Sequence, residues 1–169
     1  MSNLITRATM RPLRHAAKHR EKRPHATAIN FNAYDAGEEL LTGGRPLKGF
    51  PNVFLTLYTV ANIVTIQDLP GKSLSPVSHK GNSVQLSEYG AQHKRLAIVL
   101  RNRTPTDGIR IWTLGSDVVI QEWEAPGLVG DYLIVIDEEI GLRPYDEVVF
   151  AGAGRIDPLN IAINEVIFG

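Results

Sequence analysis

The sequence predicts an all-β fold, an antiparallel β-sandwich of jelly-roll-like order with an extended basic N-terminal arm, and three observations predict it. Short runs rich in Val, Ile, Leu, Thr and aromatic residues succeed one another from residue 26 onward, and such residues favour strands because they pack well on a pleated surface. Gly, Pro and Asp separate the runs, as in Thr106-Asp107-Gly108 and Gly115-Ser116-Asp117, which are turn sequences. No long amphipathic helical pattern follows the arm, so packing sheet on sheet is the way left to bury the apolar faces.

The totals set the frame. A chain of 169 residues makes one domain that hides about 70% of its unfolded surface. An apolar fraction of 43% with 21% charged residues is ordinary for a soluble globular protein. The absence of cysteine excludes a disulfide framework and thiolate chemistry. No apolar secretory core precedes Ala26, and the longest apolar stretch, Val53 to Ile66, is broken by Thr56, Thr59, Asn62 and Thr65. It falls short of the roughly 20 residues a membrane helix needs, so no span is expected. No repeat at a fixed period argues for a propeller or solenoid.

Residues 1–25 form the arm and residues 26–169 the sandwich domain. The arm carries Arg7, Arg11, Arg14, Lys18, Arg20, Lys22 and Arg23 against Glu21 alone, a formal +6, and the remainder of a chain that is neutral in total carries −6. Leu4, Ala8, Leu13 and Ala17 are loosely spaced at three to five residues, which predicts at most a short helix interrupted by Pro12. Ala26 to Asn32 alternates and reads as the first body strand. Asp35 to Pro51, rich in Gly and Pro, reads as a long surface loop with one helical turn at Glu38 to Leu41. Val53 to Ile66 is one strand, or two joined near Ala61-Asn62. Ser83 to Leu86 reads as a short edge strand, Leu96 to Leu100 is apolar on both faces, and Ile109–Leu114, Asp117–Glu124, Tyr132–Ile136, Glu147–Ala151 and Asn160–Phe168 supply the rest, eight or nine in all.

Chemistry-bearing patterns are few. His15 and His19 share a helical face, with His25 as a remote third ligand, yet without cysteine or a nearby carboxylate the spacing carries no metal site. The acid clusters Asp35-Glu38-Glu39, Asp137-Glu138-Glu139 and Asp146-Glu147 lack the spacing of a calcium loop and are expected to be solvated loops or receivers for the arm's arginines. Trp112, Trp123, Tyr132 and Tyr145 could form a sugar-stacking platform, against which stands the ordinary reading of strand tryptophans as core. There is no Gly-x-Ser-x-Gly elbow, and Gly152-Ala153-Gly154 is too short for a phosphate loop. Asn102-Arg103-Thr104 has the glycosylation spacing without a signal peptide to bring it to that compartment. No catalytic residue, cofactor or metal is expected, and the chain does not read as an enzyme.

A basic arm through Pro24, the loop around Thr42-Gly43-Gly44-Arg45-Pro46 and a strand-rich body ending at Ile167-Phe168-Gly169 together resemble the capsid cement or decoration proteins of tailed bacteriophages. The resemblance covers the overall plan of the chain and no diagnostic motif. It implies a structural virion protein, assembled in the host cytoplasm and located on the capsid surface, that braces neighbouring major capsid protein subunits. It also implies a homo-oligomer, a trimer before a dimer, and on that reading the seven arm cations bind the partner. Two other readings stay open: a carbohydrate-binding β-sandwich module using the Trp/Tyr set, and a nucleic-acid-binding protein using the arm, the latter opposed by the acidic body and the lack of aromatics in the arm.

Overall fold

From Gly130 to Asp137 every second side chain is buried: Tyr132, Ile134 and Ile136 point inward while Asp131, Leu133, Val135 and Asp137 do not. The same period of two recurs along most of the chain and sets one face of each strand toward a shared interior. The computed structural model describes residues 5–12, 26–41, 43–58, 63–68, 72–76, 83–88, 90–102, 106–152 and 161–169. Among them are fifteen strands: β1 (Thr6–Arg7), β2 (Thr9–Pro12), β3 (Thr27–Asn30), β4 (Glu39–Leu41), β5 (Gly43–Leu47), β6 (Phe50–Tyr58), β7 (Ile63–Asp68), β8 (Lys72–Pro76), β9 (Ser83–Glu88), β10 (Arg95–Asn102), β11 (Thr106–Gly115), β12 (Val118–Gly127), β13 (Gly130–Asp137), β14 (Glu147–Gly152) and β15 (Ile161–Phe168).

They form a sandwich. The first sheet runs β1-β12-β11-β14-β9-β6-β5 and the second β2-β13-β10-β15-β8-β7-β4, with β3 also paired to β15. Every pairing is antiparallel except the two-residue contact of β1 with β12. Successive strands cross repeatedly between the sheets, from β9 to β10 to β11 and from β12 through β13 and β14 to β15, as the jelly-roll-like reading requires. Trp123, Phe150, Leu55 and Leu86 from the first sheet meet Leu96, Ile134, Val166 and Phe168 from the second in one core. The apolar run Leu96–Leu100 is β10, flanked on both sides by β13 and β15. The terminal strand, β15, lies inside its own sheet.

Three sequence expectations need correction. Thr6 to Pro12 is strand rather than helix: Thr6 and Arg7 pair with β12, the Ala8 N–H donates to the Glu124 carbonyl at 2.9 Å, and Thr9 to Pro12 pair with β13. One extended run thus passes from the first sheet to the second and closes that side of the sandwich, with Ala8 buried at the crossing. The rest of the expected helix lies outside the described residues. Glu39–Leu41 is a strand on β7 rather than a helical turn, and Ser83–Glu88 lies between β14 and β6 rather than at an edge. In each case long-range pairing supplies the hydrogen bonds, which local spacing does not reveal.

Two substitutions test this account. Ala8→Asp places a charge in the closure and is expected to destabilise the fold by about 3 kcal/mol; a change below a few tenths of a kcal/mol in urea unfolding would mean that the N-terminal run is not packed there. Gly108 sits at φ +112°, and a Cβ there would lie 2.5 Å from the Ala125 carbonyl oxygen. Gly108→Ala is expected to cost about 3 kcal/mol, measured in the same way.

Candidate functional site: the outer face of the first sheet

Ile109, Ile111 and Thr113 of β11 point into the core, so Arg110 and Trp112 between them lie on the outer face. Strand register carries that face sideways: Trp112 stands opposite Glu122 on β12 and Val149 on β14, and Val149 stands opposite Gln85 on β9. One row along, Glu147 lies between Leu114 and Ser87, and Ser87 is opposite Phe54 of β6, which is 37% exposed. The result is an open sheet face with a partly exposed indole near one side, a partly exposed phenyl ring toward the other, and polar side chains around and between them.

The polar groups are held in pairs. Arg110 Nη1 is 3.3 Å from Glu122 Oε1, beside the indole. Gln85 Nε2 donates to Glu147 Oε2. Burial raises the Glu147 carboxyl above its ordinary range; the Asp117 carboxylate adds to the rise, and the Gln85 hydrogen bond opposes it. Asp117 owes its position to the turn between β11 and β12, where Ser116 and Asp117 both have positive φ, 51° and 65°. Asp is among the few non-glycine residues that tolerate that region. The turn is fastened by Asp146, whose two carboxylate oxygens accept from the Ser116 N–H at 3.3 and 3.2 Å.

Of the four aromatics considered from sequence, Trp123, Tyr132 and Tyr145 are core, and Trp112 is the one on the surface. The expected four-ring platform is therefore corrected to one of its members. Arg7 lies in register with Glu124 on β1, and Arg11 lies opposite Leu133 on β2, both exposed and on different sheets. Arg14, Lys18, Arg20, Lys22 and Arg23, with His15, His19 and His25, lie outside the described residues. The acid clusters are engaged within the body: Glu38 holds Lys48 at 2.5 Å, Glu138 meets Lys94 at 3.3 Å, and Asp137 accepts from the Glu139 N–H at 3.1 Å. Among the described residues no three His, Cys, Asp or Glu side chains are placed to hold a metal ion, and no helix is long and apolar enough to cross a membrane. Sequence reading missed Arg110, Glu122 and Gln85, and took Glu147 only as part of the Asp146-Glu147 acid cluster. A step of two from Trp112 finds Arg110, whereas the other three reach the face only through strand register.

No protein-family model matches the chain, and no curated protein matches it. Solved structures do. The chain is similar to a low-affinity xylan-binding module of family 86 from the xylanolytic gut symbiont Roseburia intestinalis, at 14% identity and a TM-score of 0.46 over 85% of this chain and 94% of that one. It is also similar to a family 29 carbohydrate-binding module, at 13% identity and a TM-score of 0.44 over 86% and 89% of the two chains, and to a variant of that family complexed with cellulohexaose, at 14% identity and a TM-score of 0.45 over 85% and 90%. These neighbours are carbohydrate-binding modules and not capsid proteins, and the expectation of a capsid-decorating virion protein partnered by major capsid subunits is corrected accordingly. The physical source of the error lies at both ends of the charge argument: the arm's first strands belong to the chain's own sandwich, and described body acids already hold body cations.

The Asp117–Glu147 contact has a measurable consequence. A carboxyl whose pKa is raised on folding weakens the fold as pH rises through the unfolded value and then the folded one, because the folded chain holds its proton longer. Asp117→Asn removes one source of the rise. It is expected to lower the Glu147 midpoint in a carboxyl NMR titration and to stabilise the protein at pH 7 by a few tenths of a kcal/mol, since the site is largely solvent-screened. The gain should vanish in acid, once Glu147 holds its proton in the folded and the unfolded chain alike. An unmoved midpoint would show that the two groups do not interact.

Proposed function

We propose that the chain is a non-catalytic carbohydrate-binding module and that the outer face of the first sheet, centred on Trp112, receives the glycan. The observation that carries this reading is the setting of Trp112: a partly exposed indole on a sheet face, bracketed by the Arg110–Glu122 pair in β11 and β12 and by the Gln85–Glu147 pair in β9 and β14. A sugar ring presents an apolar C–H surface edged by hydroxyls. An aromatic face covers the first, and planar side chains that both donate and accept serve the second. Pairing the polar groups with each other keeps them oriented in the free protein, which lowers the ordering cost of binding.

The same face argues for holding a ligand rather than transforming it. Hydrolysis by paired carboxylates needs an enclosed site that excludes water and fixes an acid and a base on either side of one bond. Here Glu122 and Glu147 lie on an open surface, each engaged by a neighbour. One central indole also limits affinity, since a few well-packed aromatic anchors carry most of the energy in binding sites.

Trp112→Ala is expected to weaken binding to soluble neutral polysaccharides at least tenfold, about 1.4 kcal/mol or more, in affinity electrophoresis or calorimetry against a panel of xylan, glucomannan and hydroxyethyl cellulose. Leu128→Ala, exposed at the turn between β12 and β13, should bind as the unaltered chain does. Retention of full binding by Trp112→Ala, or absence of binding to every member of the panel, would sink the proposal.

A further inference from the structure

His93 lies outside the glycan face. It is 6% exposed, its ring stacks on Phe168 at 4.7 Å and 28° between planes, and Tyr145 sits 5.6 Å away in a tilted contact. Its backbone is bound to Tyr145 in both directions, at 2.7 and 3.0 Å. On the polar side His93 Nε2 is 3.0 Å from Glu88 Oε2, and the other oxygen of the same carboxylate accepts from Thr27 Oγ1 at 2.9 Å. Glu88 ends β9, Thr27 begins β3, and Phe168 ends β15. One carboxylate thus lies between the first residue of β3, which donates to it, and a buried imidazole at the end of the sandwich.

We propose that Thr27, Glu88 and His93 form an acid-sensitive latch: with a neutral imidazole the carboxylate holds the start of β3 against β15, and protonation of His93 loosens it. Thr27 pairs with Phe168 and Ile29 with Val166, so the latch governs the start of β3 where it lies against β15. It stands apart from the glycan reading and depends on none of that site's residues.

The direction follows from which effect on His93 is larger. Glu88 and Asp146 both favour the charged ring, but burial disfavours it more and lowers its pKa below the ordinary value of 6.5. The geometry agrees with that order: the approach to Glu88 is close, yet among the described residues no hydrogen bond is aligned on Nε2, so an imidazolium there gains less than a straight charge-assisted bond would give. The remaining ionisable neighbours add little relief. Tyr145 is neutral and donates its hydroxyl to the Arg95 carbonyl at 2.9 Å, while Lys94 reaches out to Glu138. A base whose pKa falls on burial gives the closed state its full stability above about pH 6.5, and that stability is lost as pH drops toward the lowered value. Ile29 and Phe31 are fully buried and anchor β3 in the core, so acid acts first on the start of the strand at Thr27, where the latch lies, rather than on the whole sandwich.

Backbone hydrogen exchange on the full chain tests this, with protection of residues 27–30 expressed relative to residues 96–100 of β10 so that the intrinsic pH dependence of exchange cancels. Between pH 7.5 and pH 5.0 the ratio is expected to fall several-fold, because the open strand accepts the proton that the closed state resists. His93→Phe keeps a ring against Phe168 and Tyr145 and removes the proton, so its ratio should stay flat. His25→Gln, two residues before Thr27, should behave as the unaltered chain. A ratio that is flat or rises in acid for the unaltered chain, an unchanged fall in His93→Phe, or a fall abolished by His25→Gln would overturn the latch. Should His93→Phe fail to fold, an NMR titration of the unaltered chain decides: a His93 midpoint below 6.5 supports the proposal, and one at or above 6.5 overturns it.

Discussion

Burial of one face of every strand against a common core is the constraint from which the remaining features follow. Its largest single expression is Trp123, fully buried on β12 among Ile111, Phe150 and Ile134 in the same core. Truncating a buried Trp costs about 3–5 kcal/mol. Its indole nitrogen has no hydrogen-bond partner among the described residues, a penalty of about 1–3 kcal/mol, so the packing gain outweighs the polar loss. Once Trp123 faces inward, the period of two leaves no freedom: Glu122 and Glu124 face outward, and on β11 the neighbour of Trp123 is Ile111 while the neighbour of Glu122 is Trp112. Two indoles on adjacent strands end in opposite environments because they are one residue out of step in the register.

That step explains what could be read in advance. β10 was legible because Leu96 to Leu100 is apolar whichever way the strand is turned, and the alternation from Ala26 to Asn32 fixed β3 and the inward direction of Ile29. The sandwich could be recognised from such runs and from turns such as Gly115-Ser116-Asp117. The two tryptophans could not be told apart, because each lies in a run of mixed polarity and the choice between faces depends on which neighbouring strand pairs with which residue. For the same reason Gln85 offered no signal and Glu147 read only as half of the Asp146-Glu147 cluster: sixty-two positions apart in sequence, they meet only through the pairing of β9 with β14. The Asp146-Glu147 pair looked like surface charge, and what sets it apart, a carboxyl held close to Asp117 at a turn with two residues at positive φ, is a backbone property that residue type alone does not declare.

The arm shows a second limit, of a different kind. Its +6 charge was a true property of the composition but a poor guide to placement, since summed charge governs long-range attraction and leaves fold undecided. Residues 6–12 are placed instead by backbone groups, which pair with the exposed edges of β12 and β13 whatever their side chains carry. Those two edges belong to different sheets and face the same side of the sandwich. An extended strand that crosses between them satisfies both, and open edges are the feature a β-protein most needs to cover. Arg7 and Arg11 then point outward, where charge is cheap to hold, and the alternating exposure of this run is a result of edge pairing rather than evidence for a partner.

The division of labour between faces and ends also bears on which parts of the molecule are free to acquire function. A core position such as Ile134 is bound to its neighbours from both sheets, so its chemistry is dictated by packing. The outer face of the first sheet is under no such demand. Glu122, Arg110, Gln85 and Glu147 contribute little to stability there, because partly solvated pairs are worth a fraction of a kcal/mol, and Trp112 would bury more surface if it were turned inward. A large aromatic left partly exposed, with oriented polar groups around it, is not explained by the stability of the sandwich. The His93 end is the converse case: its imidazole is buried, next to a half-buried carboxylate, where apolar packing alone would serve, beside Phe168 and Tyr145. In both places the residue types depart from what the fold requires, one by exposing an apolar ring and the other by burying an ionisable one, and those departures are where a physical reading locates function.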